Sequence, residues 1–153
     1  MMYAKGNDFI RDFAARTRAN LTALSNGPYE VTQLISSTVG LLIFPEQKQF
    51  QKITDSLIDT TLLDSMKNSI VVNTYRKPID LQEISRHMRN AVAHSGIEFE
   101  AEKPAITTEP LIIHSVIFDD TNSHSGERIE IKVTLDLLKE FLFAFSDAII
   151  NLP

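Results

Sequence analysis

Residues 80–96 read DLQEISRHMRNAVAHSG, and this stretch predicts the best-defined helix of the chain. Asp80 is a suitable N-cap, and Glu83, three residues later, can complete a capping box. Gly96 suits a left-handed C-cap, which places His94 in the last turn of the helix. The apolar side chains recur at helical spacing and predict a buried stripe formed by Leu81, Ile84, Met88, Ala91 and Val92.

The sequence before this helix predicts three more helical segments. Residues 8–25 and 29–44 both carry apolar side chains at helical spacing, and the breaker Asn26-Gly27-Pro28 separates them. Pro45 ends the second helix and suits the first turn of a third, which loses its regular pattern after residue 60.

The sequence after Gly96 changes its hydrophobic period from helical to alternating. Three short segments rich in alternating or β-branched residues predict strands at residues 97–100, 111–118 and 128–133. Thr134 can cap a final helix with its own apolar stripe. The chain is therefore predicted to be one domain over residues 1–153. We expect a mainly α bundle of four to five helices, with a small antiparallel β insertion before the last helix.

Composition limits the classes of function. The 153 residues carry a formal net charge of −5, which argues against general nucleic-acid coating but not against a local basic groove. There are no cysteines, no secretory signal is apparent, and no apolar run is long enough to cross a bilayer. We therefore expect a cytoplasmic protein without a membrane partner. Basic side chains cluster in the first helix at Arg11, Arg16 and Arg18, and in residues 80–96 at Arg86, His87, Arg89 and His94.

The polar side chains of the helix in residues 80–96 fall on defined faces, because each residue turns an α-helix by about 100°. Arg86, His87, Asn90 and His94 share the face opposite the apolar stripe, and Arg89 lies about 140° from His94. One interpretation is an ordinary polar helix surface in contact with solvent. The other is a catalytic site, because a histidine near a helix end can exchange protons near neutral pH. Packing of this face on its copy about a two-fold axis would bring Arg89 and His94 together.

Two other groups of side chains have ordinary explanations. Glu83 and His87, with Glu98, would suit a metal ion, but a surface ion pair at helical spacing explains the first two. Asp119 and Asp120 lack the spacing and the terminal glutamate of a calcium loop. The sequence therefore predicts no metal site and no cofactor.

The run Arg89-Asn90-Ala91-Val92-Ala93-His94 resembles the R-polar-x3-H signature of the HEPN superfamily of small helical domains. The surrounding residues 87–99 and the earlier residues 29–35 are similar to a small, single-domain, often plasmid-borne bacterial HEPN group. The resemblance implies a HEPN-like bundle that acts as a homodimer, with two copies of the motif meeting in one cleft. It also implies a metal-independent endoribonuclease.

The resemblance implies that Arg89 and His94 are catalytic, with Asn90 as the supporting polar residue. We therefore expect Arg89, Asn90 and His94 to form the catalytic group, and we expect Arg86 and His87, from the basic cluster of the same helix, to bind the RNA substrate. His94 would transfer the proton, Arg89 would hold the phosphate, and Asn90 would orient either His94 or the ribose. RNA is the expected partner, together with a cognate antitoxin or another protein if the chain is a toxin or defence effector.

A second function from a different class remains open. The same face could belong to a non-catalytic HEPN module that binds nucleotide, RNA or a partner protein. The acidic net charge favours this alternative, whereas the intact Arg-Asn pair and the histidine favour the enzyme.

Overall fold

Helices and strands are both major parts of this structure. The computed structural model describes residues 7–23, 30–102 and 112–153, of which 59% are helical and 21% lie in strands. The helices in these ranges are α1 (Asn7–Ala23), α2 (Glu30–Ile43), α3 (Gln47–Asp55), α4 (Thr60–Asn68), α5 (Leu81–Ala93) and α6 (Leu135–Ile150). The strands are β1 (Ile70–Asn73), β2 (Ile97–Glu102), β3 (Ile112–Thr121) and β4 (Arg128–Thr134).

The strands form one antiparallel sheet in the order β1-β4-β3-β2. In the centre of the sheet, Phe118 of β3 lies opposite Ile131 of β4. At the two ends, β1 pairs with β4 through Asn73 and Ile129, and β2 pairs with β3 through Ile97 and Phe118. The sheet packs against α5 mainly through β3, and α5 also contacts α2 on another side.

The expectation of a mainly α bundle with a small β insertion is wrong. The described residues contain six helices and a four-stranded sheet, so the fold is mixed α and β. The sheet is also not an insertion before the last helix, because β1 precedes α5 and joins the sheet from the earlier part of the chain. The sequence pattern predicted the three later strands but not β1.

The additional helix and strand both lie where the helical pattern weakened. The predicted third segment stops at Ser56, and α4 starts separately because the Asp59 side chain accepts a hydrogen bond from the Leu62 backbone N–H. β1 follows directly after α4. Its four residues are β-branched apart from Asn73, but they are too few to establish an alternating period.

The predicted apolar stripes of α5 and α6 form much of the core. All five predicted residues of α6 are fully buried, namely Leu138, Phe141, Leu142, Phe145 and Ile149. In α5, four are buried and one is partly buried, namely Leu81, Ile84, Met88, Ala91 and Val92. The sheet contributes Val116, Phe118, Ile129, Ile131 and Val133 to the same core.

Two predicted turns lie outside the described residues, at residues 26–28 and 103–104. Within the described ranges, no helix has both the length and the apolar character needed to cross a membrane.

Candidate active site

The candidate site is built on α5, whose N-terminus is capped as predicted. The Asp80 side chain accepts a hydrogen bond of 2.8 Å from the Glu83 backbone N–H. The Glu83 carboxylate does not complete the capping box; it accepts a hydrogen bond of 2.6 Å from Arg86 Nη2. Partial burial raises the pKa of Glu83, but the hydrogen bond and charge of Arg86 outweigh it and lower the pKa below its ordinary value. Glu83 therefore stays charged beside Arg86.

The other end of α5 differs from the prediction in its geometry. His94 is the C-cap, and the left-handed residue is Ser95, with φ of 59°, rather than Gly96. Gly96 is needed for a different reason: a Cβ atom there would lie 2.1 Å from the Asp119 carbonyl oxygen. Gly96 also accepts a hydrogen bond of 2.8 Å from the Asp119 backbone N–H. This glycine thus allows the end of α5 to contact β3 directly.

His87 lies beneath the surface, with 1% of its side chain exposed. The expectation that His87 lies on a face opposite the core is wrong, because β3 packs on that side of α5 and covers it. Its Nδ1 atom is 2.7 Å from Asp120 Oδ2, and the ring of Tyr75 lies 4.6 Å from its ring. Its Nε2 atom has no hydrogen-bond partner, and the Glu83 carboxylate is 3.8 Å away. Its proposed contact with substrate stays a prediction.

Tyr75 lies in the loop after β1, and its ring packs against the buried His87 ring. Burial, followed by the negative charge of Asp120, raises the pKa of the Tyr75 hydroxyl above its ordinary value of 10.0. The hydroxyl therefore stays protonated at neutral pH.

Asn90 is joined to the same carboxylate as His87. Its Nδ2 atom donates a hydrogen bond of 3.2 Å to Asp120 Oδ2. Asp120 was not predicted as a site residue, although the alternation of β3 carried a signal. Val116, Phe118 and Asp120 lie on one face of the strand, and this face is directed at the core. The alternation therefore predicts a buried Asp120 carboxylate, which needs hydrogen-bond partners.

Arg89 packs against α3, on the side of α5 away from His87. Its guanidinium stacks over the Phe50 ring at 4.6 Å, and its Nη2 atom is 3.5 Å from the Pro45 carbonyl oxygen. Stacking on Phe50 fixes the plane of the guanidinium while leaving most of its N–H groups available for an anion.

An open cleft of about 570 Å³ lies beside Arg89, between α3 and α5. Its lining carries three basic side chains and one acidic one, Lys77, Arg86, Arg89 and Glu83, so it is positive in a chain of negative net charge. The remaining lining side chains are four carboxamides, one hydroxyl and one aromatic ring. They belong to Gln47, Gln51, Gln82, Asn90, Thr54 and Phe50. The cleft thus suits a polar, anionic ligand.

His94 is exposed and is not part of this lining. In the described part of the chain, its side chain makes no hydrogen bond or ion pair. The structure therefore brings Arg86, Arg89 and Asn90 to one cleft and leaves His94 one turn further along α5. Within one chain, the predicted arginine and histidine do not meet.

Two of the three arginines of the other basic cluster connect α1 to the C-terminal part of the chain. Arg11 Nη2 donates a hydrogen bond of 2.6 Å to the Leu152 carbonyl oxygen, and Arg18 Nε lies 2.6 Å from Asp147. Among the described residues, no group of three or more histidine, aspartate or glutamate side chains is arranged to hold a metal ion.

Asp119, next to Asp120, makes an ion pair near the surface rather than joining the buried network. It accepts hydrogen bonds of 3.0 and 2.8 Å from Arg128 Nε and Nη2, and these lower the pKa of its carboxyl. Since the folded pKa is depressed, the pair stabilises the protein above the unfolded pKa of about 3.9 and stops doing so as pH falls through the folded value.

We expect Asp119→Asn to lower the Tm by about 1–3 °C at pH 7, because the pair is largely exposed. The difference in Tm from the wild type should shrink as pH falls below the unfolded pKa and through the lower pKa of the folded state. Thermal unfolding between pH 7 and 2.5 measures this; a difference that is equally large at every pH would show that the ion pair is not its cause.

No curated protein and no solved structure matches this chain. A family model described as HEPN pEK499 p136 matches residues 1–152. This match confirms the superfamily expected from residues 89–94, and the group is plasmid-associated. HEPN domains often bind RNA and dimerise, and membership indicates a nuclease or a nucleotide-related function. Since the match covers nearly the whole sequence, the chain belongs to the HEPN pEK499 p136 family.

Proposed function

We propose that this protein is a metal-independent endoribonuclease whose active site is completed by two copies of the chain. One observation carries the proposal: Arg89 and Asn90 line a positive cleft, and the next turn of α5 presents the unpaired, exposed imidazole of His94. These are the groups that cleavage of RNA requires, namely a cation for the phosphate and a proton-transfer group.

The reaction is an attack of the ribose 2′-hydroxyl on the neighbouring phosphorus. His94 removes the 2′ proton and becomes an imidazolium, the new P–O bond forms, and the bond to the 5′-oxygen breaks as that oxygen takes a proton from this imidazolium or from water. Arg89 stabilises the charge that develops on the phosphorane oxygens, and Asn90 orients the reacting groups. Arg86 extends the positive cleft along the RNA backbone. The products carry 2′,3′-cyclic phosphate and 5′-hydroxyl ends.

The geometry of α5 supports a dimer. Arg89 packs toward α3, whereas His94 lies in the last turn, about 140° around the helix. One RNA phosphate cannot readily contact both side chains of the same helix. A two-fold axis near the end of α5 would place Arg89 of one copy beside His94 of the other, and would generate two equivalent sites.

The biological role that fits is a toxin or defence effector acting on cytoplasmic RNA. The plasmid association of the family supports this role. Such an enzyme needs restraint in its host, so we include a cognate antitoxin or another protein partner in the proposal.

The proposal predicts cleavage of RNA in the presence of EDTA. A labelled mixed RNA pool should be cut by the wild type with cyclic-phosphate ends, and His94→Ala should reduce the rate about 100-fold or more. His124→Ala is the matched control, because His124 lies in an exposed turn remote in sequence from α5. Gel electrophoresis and analysis of the product ends measure the outcome. A requirement for Mg²⁺ or Mn²⁺ would contradict the mechanism.

The positive cleft also favours a second candidate, a binding module without turnover. Arg89, Arg86 and the carboxamides would hold an RNA phosphate without any help from His94. In that case a folded wild type would bind RNA but not cut it at any concentration, and His94→Ala would bind equally well.

A further inference from the structure

We propose that Asp120, which is hydrogen-bonded to His87, is a positioning residue that holds the side-chain amide of Asn90 in one orientation for catalysis. This inference rests on the proposed endoribonuclease function. It gives the β-sheet a role in the site, because Asp120 lies on β3 and its side chain contacts α5. It also selects the group that Asn90 offers to the reaction, which is its carbonyl oxygen.

The first support is the geometry around one oxygen atom. Asp120 Oδ2 lies 2.7 Å from His87 Nδ1 and 3.2 Å from Asn90 Nδ2. A charged carboxylate only accepts hydrogen bonds, so both neighbours must donate. The Asn90 NH₂ group is therefore directed at the sheet, and its Oδ1 atom is directed away from Asp120. A donor in the cleft, such as the ring N–H of His94 on the nitrogen that does not take the 2′ proton, can bond to this oxygen.

The second support is the burial of the network. His87 is 1% exposed and Asp120 is 8% exposed, and the Tyr75 ring covers His87. Water has little access to compete for Asp120, so its hydrogen bonds hold a definite geometry. Asn90, in contrast, is only partly buried and lines the cleft. The network thus connects a rigid interior to a side chain at the reactive surface.

The third support is that a purely structural role leaves the arrangement unexplained. A carboxylate can accept several hydrogen bonds, so His87 alone does not account for Asp120, and an apolar pair at these positions would fill the same space without any buried charge. Asn90 could also turn its amide freely without the carboxylate. A buried acceptor that holds a cleft residue in one of its two amide orientations is the arrangement expected of a preorganised site.

Reversing the pair tests the inference. Asp120→Asn removes the obligatory acceptor, and we expect kcat for RNA cleavage to fall about tenfold or more with KM within about twofold. Asn90→Asp places two carboxylates in contact and should lower kcat at least as much. The double variant Asn90→Asp with Asp120→Asn restores one donor and one acceptor between the two positions but leaves a carboxylate in the cleft, so kcat should rise above that of either single variant without reaching that of the wild type.

Asp119→Asn is the matched control, because it makes the same chemical change one residue away on the other face of β3. Its kcat should equal that of the wild type. If the two single effects instead multiply in the double variant, or if Asp120→Asn leaves kcat unchanged, Asp120 does not position Asn90. In both of these outcomes the endoribonuclease itself would stand.

A measurement on the wild type alone covers the case in which Asp120→Asn does not fold. In a ¹H–¹⁵N spectrum, the Asn90 side-chain NH₂ protons should exchange with water more slowly than those of exposed Asn68. Equal exchange would overturn the inference. If the wild type does not cleave RNA, the proposed function fails, and this exchange rate still decides whether Asp120 holds the Asn90 amide.

Discussion

Two inactive variants are expected to recover RNA cleavage when their chains are mixed. Arg89→Ala and His94→Ala should each reduce the rate about 100-fold or more, since one lacks the phosphate cation and the other the proton-transfer group. A mixed dimer contains one site that has lost both residues and one site that keeps both, provided that each site takes its arginine and histidine from different chains. Random exchange makes half of the dimers mixed, so activity should return to about a quarter of the wild-type value.

The measurement is the rate of cleavage of labelled RNA in EDTA after the two purified variants have exchanged subunits. The matched control mixes His94→Ala with the double variant Arg89→Ala and His94→Ala, because none of its dimers regains an intact site. If the first mixture stays as inactive as its components while mixed dimers are demonstrably present, arginine and histidine act within one chain. The shared site would then be wrong even if the enzyme is active.

Gly96→Ala should cause the largest loss of stability among the substitutions considered. The new Cβ atom would lie 2.1 Å from the Asp119 carbonyl oxygen, and this neighbour is backbone of β3 rather than a flexible side chain. The end of α5 would have to separate from the sheet. We expect unfolding to become easier by about 3 kcal/mol, at the upper end of overpacking costs, and the Tm to fall by about 6–12 °C.

Gly126→Ala separates this clash from the loss of glycine flexibility. Gly126 has φ of 75°, but a Cβ atom there would meet nothing within 4 Å. Only backbone strain remains, which we expect to cost about 1 kcal/mol. Thermal and urea unfolding of both variants, followed by circular dichroism, measures the difference. Equal losses of stability would show that contact between α5 and β3 is not what requires Gly96.

Local signals in the sequence predicted much of α5 and α6. The Asp80 and Thr134 side chains each accept a hydrogen bond from a backbone N–H three residues later, as their positions before the helices indicated. The apolar stripes of both helices are buried. These features depend on neighbours within one or two turns, and such neighbours are visible in a single sequence.

Non-local contacts decided the features that were missed. β1 is four residues long and is a strand because it pairs with β4, whose residues lie more than fifty positions later. The burial of His87 has the same origin, because helical rotation gives the face of a residue but not the element that covers that face. The partnership of His87 with Asp120 likewise joins residues 33 positions apart.

The candidate site was predictable only as a set of residue types in one motif. Arg89, Asn90 and His94 were named from their resemblance to the HEPN signature, and their catalytic roles remain a prediction. The stacking of Arg89 on Phe50 and the hydrogen bond from Asn90 to Asp120 require the packed structure. A charged residue on the apolar face of an alternating strand, as in β3, is the signal that would have directed attention to Asp120.

The strand order has a consequence for the time at which this protein acquires its proposed activity. During synthesis α5 emerges from the ribosome before β3 and β4. β1 has no strand to pair with until β4 has been made. A nascent chain that already displays Arg89, Asn90 and His94 therefore lacks the carboxylate that holds Asn90. The motif is translated before the carboxylate that holds Asn90, so the proposed site is complete only after β3 has been made.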